Sequence, residues 1–253
     1  MTVPVAEMTL PQLMKACDGY FLVPVPGSDG PPWKEWQPRQ IPHDTYVEAS
    51  SRLSDQVDAE IVPWARNLLR HDDLAARERG AALLTRAAED GLLVDVRTEV
   101  ITELEEVVRK PAQDPKDAQA KVAAILALAK MRAIRSLIAL AAVPAVKKEE
   151  LPLTIKECLE RMAAKKFATT ASSLTWARAQ VAAEEQAHKA WTIAVAARSK
   201  ESFRPYKTTD RFATGDLVDH VKFGHGIVTK AMEGSKVEIL FSKGHLVLLH
   251  KEH

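Results

Sequence analysis

Residues 117–143 have the sequence DAQAKVAAILALAKMRAIRSLIALAAV, and this stretch decides the fold class of the chain. It is apolar and rich in alanine, but Lys130, Arg132 and Arg135 interrupt it, so it is too weakly apolar to span a bilayer. We therefore interpret it as two buried helices, the first of them capped by Asp117.

The helical pattern continues on both sides of this stretch. Apolar residues recur at steps of three and four over 58–71 and 74–90, and again in a third segment that ends before Pro111. Beyond it, residues 151–164 and 172–199 show the pattern of two further helices. The sequence thus predicts a helical body over residues 58–200.

The candidate helix starts at Asp73, Asp117 and Thr154 are spaced by roughly forty residues. With the alanine-rich pair at 117–143, this spacing resembles HEAT and other α-solenoid repeats. A simple helical bundle fits the same pattern, so the predicted body is either a HEAT-like helical repeat or a bundle. The resemblance implies a curved binding surface for protein or nucleic acid rather than a catalytic pocket.

The first 57 residues contain many prolines and glycines, which interrupt any helical or strand period. We predict an extended, Pro-rich N-terminal arm over residues 1–57. Trp33 and Trp36 lie within it, and such aromatic side chains either pin an arm to its own body or dock a partner.

Composition narrows the choice of function class. The chain has 253 residues, 35 Lys and Arg against 34 Asp and Glu, and only two cysteines, Cys17 and Cys158. Balanced charge provides no global attraction to nucleic acid or to an anionic membrane, and two cysteines make no disulfide framework. The N-terminus shows neither the basic region nor the apolar run of a secretory signal. We predict a cytoplasmic protein with no membrane partner.

The helical period stops after Lys200, and Pro205 prevents its continuation, so residues 201–210 are predicted to be a linker. Residues 211–253 then alternate short apolar segments with turn residues. Val237, Ile239 and Phe241, for example, follow the two-residue period of a half-buried strand. Four or five short strands in so few residues must curl to bury a core, which predicts a small all-β barrel.

Residues 215–228, GDLVDHVKFGHGIV, resemble the G-D-x-V-x-H-x-x-F-G-x-G-x-V signature of the Tudor-like or SH3-like domain at the C-terminus of UvrD- and PcrA-type bacterial helicases. The residues in register are Gly215, Asp216, His220, Phe223, Gly224 and Gly226. Val221 departs from the family, which often has proline after the histidine. The resemblance implies an SH3/Tudor-like barrel, and a docking module that contacts RNA polymerase in a bacterial cell. Together with the helical body, this predicts a mainly α protein that ends in such a barrel.

A docking module presents polar side chains on the turns of a rigid sheet. On this basis we predict that Lys222, His225, Lys243 and His245 contact the partner. The predicted function is a non-catalytic adaptor that binds a protein partner, for which the resemblance implies RNA polymerase. No phosphate-binding G-x-x-x-x-G-K-[ST] loop occurs in the sequence, and we predict no catalytic residue, cofactor or metal.

Two other functions remain open. A nucleic-acid-binding protein would use basic residues of the helical body, namely Arg132, Arg135, Lys147, Lys148, Lys165 and Lys166. An enzyme of unrecognised type would need an acid-base trio such as Glu184, Glu185 and His188, for which a solvated helix face is the favoured interpretation. Five histidines near the C-terminus, His220, His225, His245, His250 and His253, lack the spacing of a standard zinc finger.

Overall fold

The computed structural model describes residues 4–23, 37, 39–110, 117–143, 151–196, 198–232 and 235–250. These residues form two compact units, Met1–Ala177 and Arg178–His253. The first is helical, and the second contains a five-stranded sheet. The prediction of a mainly α chain followed by a small β domain is confirmed.

Up to Trp191, the described part of the chain consists mostly of α-helices. They are α1 (Leu10–Asp18), α2 (His43–Asp55), α3 (Ile61–Leu69), α4 (Leu74–Glu89), α5 (Arg97–Arg109), α6 (Asp117–Lys130), α7 (Ile134–Leu140), α8 (Leu151–Ala163) and α9 (Thr170–Trp191). From Arg178 onward, α9 belongs to the second unit. None of the helices in the described ranges is long and apolar enough to cross a membrane.

Helix α6 lies at the centre of the helical unit. It packs against α4, α5, α7 and α8, and its small residues Ala124 and Ala127 are fully buried. Small side chains allow neighbouring helices to approach closely, and the large apolar residues Ile125 and Leu128 fill the space between them. The alanine-rich composition of 117–143 is therefore that of a helix covered on several sides.

Helices α3 and α4 approach so closely at Gly80 that no side chain fits there. A Cβ at this position would lie 2.6 Å from the carbonyl oxygen of Ala65 and 2.9 Å from the Cβ of Leu68. Glycine normally weakens a helix interior, so its place in α4 reflects this contact.

Two buried carboxylates bind together parts of the helical unit. Glu103 on α5 accepts hydrogen bonds from Arg66 at 2.9 Å and from Arg70 at 2.6 Å, which joins α5 to the end of α3. Glu160 on α8 accepts hydrogen bonds from Lys166 and from the backbone N–H of Phe167, both at 2.9 Å. With the ammonium of Lys156, these donors lower the pKa of Glu160 to about 2.

Both cysteines belong to the helical unit and both are buried. Cys17 lies on α1 and Cys158 on α8, and each has a free thiol. Burial raises the pKa of Cys17 to about 12 and that of Cys158 to about 11, because a thiolate loses its hydration there. These thiols are chemically inert in the folded state.

The N-terminal stretch differs from the expected extended arm, because α1 and α2 lie within residues 1–57. Pro11 is tolerated in the first turn of α1, and the side chain of Gln12 accepts the backbone N–H of Thr9 at 2.8 Å. The ring of Tyr20, which follows α1, stacks on Tyr46 of α2 with centroids 4.0 Å apart. Trp33 and Trp36 lie outside the described residues.

The described residues of the second unit form five strands in the order β1 (Arg204–Pro205), β2 (Leu217–His220), β3 (Gly224–Met232), β4 (Lys236–Phe241) and β5 (Gly244–Leu249). Strands β1 and β2 are parallel, and the remaining neighbours are antiparallel. One face of the sheet forms a core made of Phe212, Val218, Val228, Val237, Ile239 and Phe241.

The predicted linker over 201–210 differs in the structure, where it is part of the second unit. Tyr206 donates its backbone N–H to the carbonyl of Asp219 on β2 at 2.8 Å, and its hydroxyl to the carbonyl of Leu249 on β5. Its ring stacks on Phe212, with centroids 5.3 Å apart. One tyrosine thus joins the first and last parts of the sheet.

Candidate docking site

The residues of the 215–228 signature build turns. Gly215 has φ +96°, a left-handed conformation that favours glycine, and donates its backbone N–H to Val228 at 2.8 Å. Asp216 accepts the backbone N–H of Ala213 on its carboxylate at 2.9 Å, and its carbonyl accepts the N–H of Val228 at 2.9 Å. This pair fixes the entry into β2 against β3.

His220 holds the turn between β2 and β3. Its Nδ1 accepts the backbone N–H of Lys222 at 3.0 Å and that of Phe223 at 3.3 Å, so this nitrogen carries no proton. The imidazole packs 4.5 Å from the ring of Phe223 and 4.9 Å from that of Tyr206. The histidine therefore stabilises the turn. Its Nδ1 is engaged there and is not available to a metal ion.

The two glycines of the signature act in different ways. Gly224 has φ +71° and open space around it, so its role is conformational. A Cβ on Gly226 would lie 2.8 Å from Cγ2 of Ile239 and 2.8 Å from Cδ1 of Phe241, so its role is steric. Gly226 lets β3 lie close against the core side chains of β4.

A cavity of about 310 Å³ opens where the β2–β3 turn and the β4–β5 turn come together. Its lining consists of Lys222, Phe223, Phe241, Ser242, Lys243, Gly244 and Leu246. The apolar members come from the core side of the sheet, and two lysines flank them. Lys222 and Lys243 are exposed, and the ammonium of Lys222 lies 5.7 Å from the centre of the Phe223 ring.

The structure brings two of the four predicted contact residues together, Lys222 and Lys243. His225 does not line the cavity: its ring stacks on Phe203 with centroids 4.1 Å apart, and its Nε2 lies 3.8 Å from Asp219. Its position is set by packing within the second unit.

His245 also lies apart from the cavity. It follows Gly244 and precedes Leu246 on β5, and alternate residues of a strand face opposite sides of a sheet. Its Nδ1 is 3.1 Å from Oε1 of Glu238, which accepts the hydroxyl of Thr229 at 2.7 Å. The Thr229 hydroxyl and, less strongly, His245 hold the pKa of Glu238 below its usual range.

Sequence reasoning did not assign Phe223, Phe241 and Leu246 to the site. The strand pattern predicts Phe241 as a core residue, and Phe241 is 2% exposed, but both phenylalanines also line the cavity. The strand register was the available signal. Phe241 pairs with Gly244 on β5, and Leu246, two residues further along that strand, lies on the same face of the sheet as Gly244.

Some of the other candidate residues have partners of their own or lie outside the described residues. Lys166 is bound to Glu160, Lys165 lies 5.1 Å from the Phe167 ring, and Lys147 and Lys148 fall outside the described ranges, as does His253. Within those ranges, His, Cys, Asp and Glu side chains nowhere gather in groups of three or more that suit a metal ion.

Comparison with protein-family models, with curated proteins and with solved structures finds no match to this chain. The function proposed below therefore rests on the cavity of the second unit and on the sequence resemblance of residues 215–228.

Proposed function

We propose that this protein is a non-catalytic adaptor, and that its second unit is an SH3/Tudor-like barrel which docks on another protein through the cavity between the β2–β3 and β4–β5 turns. The observation that carries the proposal is the cavity lining, which combines the apolar side chains of Phe223, Phe241 and Leu246 with two lysines, Lys222 and Lys243.

The chemistry of this lining defines the kind of partner that fits. An apolar floor supplies affinity when it buries an apolar side chain of the partner. Exposed lysines contribute orientation and association rate, because long-range attraction steers acidic groups toward them. The matching partner surface therefore presents an apolar side chain flanked by carboxylates.

The resemblance of residues 215–228 to the C-terminal domain of UvrD- and PcrA-type helicases suggests bacterial RNA polymerase as the partner. In this proposal the protein acts in the bacterial cytoplasm, and its helical unit, a HEAT-like repeat or a bundle, holds a second macromolecule. The signature residues themselves support the fold, since Asp216, His220 and Gly226 are engaged in turns and core contacts.

Binding of the full chain to purified bacterial RNA polymerase tests the proposal. We expect Lys222→Glu/Lys243→Glu to weaken binding by about tenfold or more, because it replaces attraction at the cavity with repulsion. Lys207→Glu/Lys236→Glu is the matched control: it makes the same change of net charge at two exposed lysines outside the cavity, and we expect less than about a twofold change.

Equal losses in the two double variants would contradict the cavity assignment, because only net charge would then matter. Failure of the unaltered protein to bind the polymerase would exclude that partner. A labelled DNA fragment, included in parallel, distinguishes the nucleic-acid alternative, for which the affinity must fall steeply with salt.

A further inference from the structure

The last turn of α9 is bonded to a turn that lines the cavity. Nδ1 of His188 lies 3.2 Å from the carbonyl oxygen of Ser242, and Ser242 is part of the cavity lining beside Lys243. All three residues belong to the second unit. A carbonyl oxygen only accepts, so Nδ1 of His188 must carry the proton of this hydrogen bond.

A second hydrogen bond joins the same helical turn to strand β3. The indole N–H of Trp191 donates to the carbonyl of His225 on β3 at 2.9 Å, and its ring stacks on His188 with centroids 5.8 Å apart. His225 pairs across the sheet with Asp219, two residues before Val221 in the β2–β3 turn. One helical turn thus contacts the strands that lead to both cavity turns.

The segment after α9 completes this contact. Thr192–Ala196 forms a π-helical turn that packs against β3, and Val195 within it is 1% exposed. Such turns disrupt regular helix bonding and are frequent at functional sites. Residues 182–186 and 188–190 are exposed, so the two hydrogen bonds and the buried side chain of Val195 carry the contact of this helix end with the sheet.

We propose that His188 is a positioning residue for the docking cavity. Its hydrogen bond holds the β4–β5 turn so that Lys243 faces the partner. The contact of the α9 end with the sheet and the binding of the partner in the cavity then stabilise each other, because coupling between two binding events is reciprocal. This inference rests on the proposed function, and it adds a means by which α9 regulates docking.

The chemistry of the contact makes the proposal specific. Nδ1 of His188 donates both in the appropriate neutral tautomer and in the imidazolium, so the bond does not require a particular charge. An asparagine at this position carries a side-chain N–H donor, whereas an alanine has none. The two substitutions therefore separate the hydrogen bond from simple packing.

The test compares His188→Ala, His188→Asn and the control Lys189→Ala, which changes an exposed neighbour. Amide hydrogen exchange in the free full-length protein is measured over residues 242–246. We expect faster exchange in His188→Ala, partial restoration in His188→Asn and no change in Lys189→Ala. Thermal midpoints close to that of the unaltered protein exclude general unfolding as the cause.

A second measurement uses purified RNA polymerase. We expect His188→Ala to weaken binding about three- to tenfold, mainly through faster dissociation, and His188→Asn to recover part of this loss. Polymerase binding should in turn slow exchange over residues 186–196 of the unaltered protein.

Two results overturn the inference. Unchanged exchange over 242–246 in His188→Ala would show that His188 does not hold the turn, whichever partner binds. Faster exchange with unchanged polymerase affinity would show that the held turn is not coupled to docking. Failure of the unaltered protein to bind the polymerase counts instead against the proposed function, and the exchange result in the free protein still decides the role of His188.

Discussion

At the scale of single residues, Gly226 determines how closely β3 approaches the core side chains of β4. We expect Gly226→Val to destabilise the second unit by about 1 to 3 kcal/mol, because even its Cβ would overlap Ile239 and Phe241, which are themselves packed. The measurement is the free energy of unfolding from hydrogen exchange of the β4 amides.

Val247→Ala serves as the control for this prediction. Val247 is 53% exposed on β5, and we expect a change within about 0.5 kcal/mol. Equal stability of Gly226→Val and the unaltered protein would mean that β3 and β4 separate at little cost, which contradicts the close approach described above.

The sequence predicted the roles of residues correctly where those roles depend on contacts with residues nearby in the chain. Gly215, Asp216 and His220 act within a few residues of themselves or across one hairpin, and a short signature records such contacts. The environment of His225 depends on Trp191, which is 34 residues away along the chain, and no local pattern indicates that hydrogen bond.

At the scale of secondary structure, the close contact between α3 and α4 reverses the effect expected of replacing a helical glycine, Gly80, by alanine. Gly→Ala in an exposed helix interior normally stabilises by about 1 kcal/mol. We expect Gly80→Ala to destabilise the helical unit by about 1 to 3 kcal/mol instead, because the new Cβ meets the backbone carbonyl of Ala65 at 2.6 Å.

Urea unfolding followed by the circular dichroism of the helices measures this effect. Glu78→Ala, at an exposed position of the same helix, is the control and should stay within about 0.5 kcal/mol. A stabilising Gly80→Ala would indicate that α3 moves away without loss of packing.

Helices with a clear apolar period were predictable, including α3 and α8, which have Pro63 and Pro152 in their first turns, but α1 and α2 were not. The patterns at 74–90 and 117–143 correspond to α4 and to α6 with α7. Helices α1 and α2 were missed because the prolines and glycines of the first 57 residues indicated irregular structure. Pro11 is compatible with the first turn of α1, and Pro42 precedes α2.

At the scale of the whole molecule, the second unit begins at Arg178 rather than after Lys200. We expect a fragment of residues 178–253 to unfold cooperatively and one of residues 211–253 to lack a stable fold. The shorter fragment loses Trp191, Phe203 and Tyr206, which contact His225, Asp219 and Leu249. Thermal unfolding and the dispersion of amide NMR signals measure the difference.

A shorter fragment as stable as the longer one would show that the strands alone suffice. The two-residue period predicts strands from residue 211 onward, and β2 begins at Leu217, but β1 (Arg204–Pro205) lies in the predicted linker. The period gave no sign that the end of a helix and the segment over 201–210 pack on the sheet, because such packing depends on tertiary contacts and not on periodicity.

Because both cysteines are buried in the helical unit, their reaction with a thiol reagent measures how often that unit opens. A thiol reagent reaches Cys17 or Cys158 only when α1 or α8 opens, because both sulfur atoms are enclosed and protonated in the folded state. The sequence places no cysteine after Cys158, so the sheet contributes nothing to the label. Alkylation rates of the unaltered chain thus measure local opening of one unit in the presence of the other, with no engineered probe.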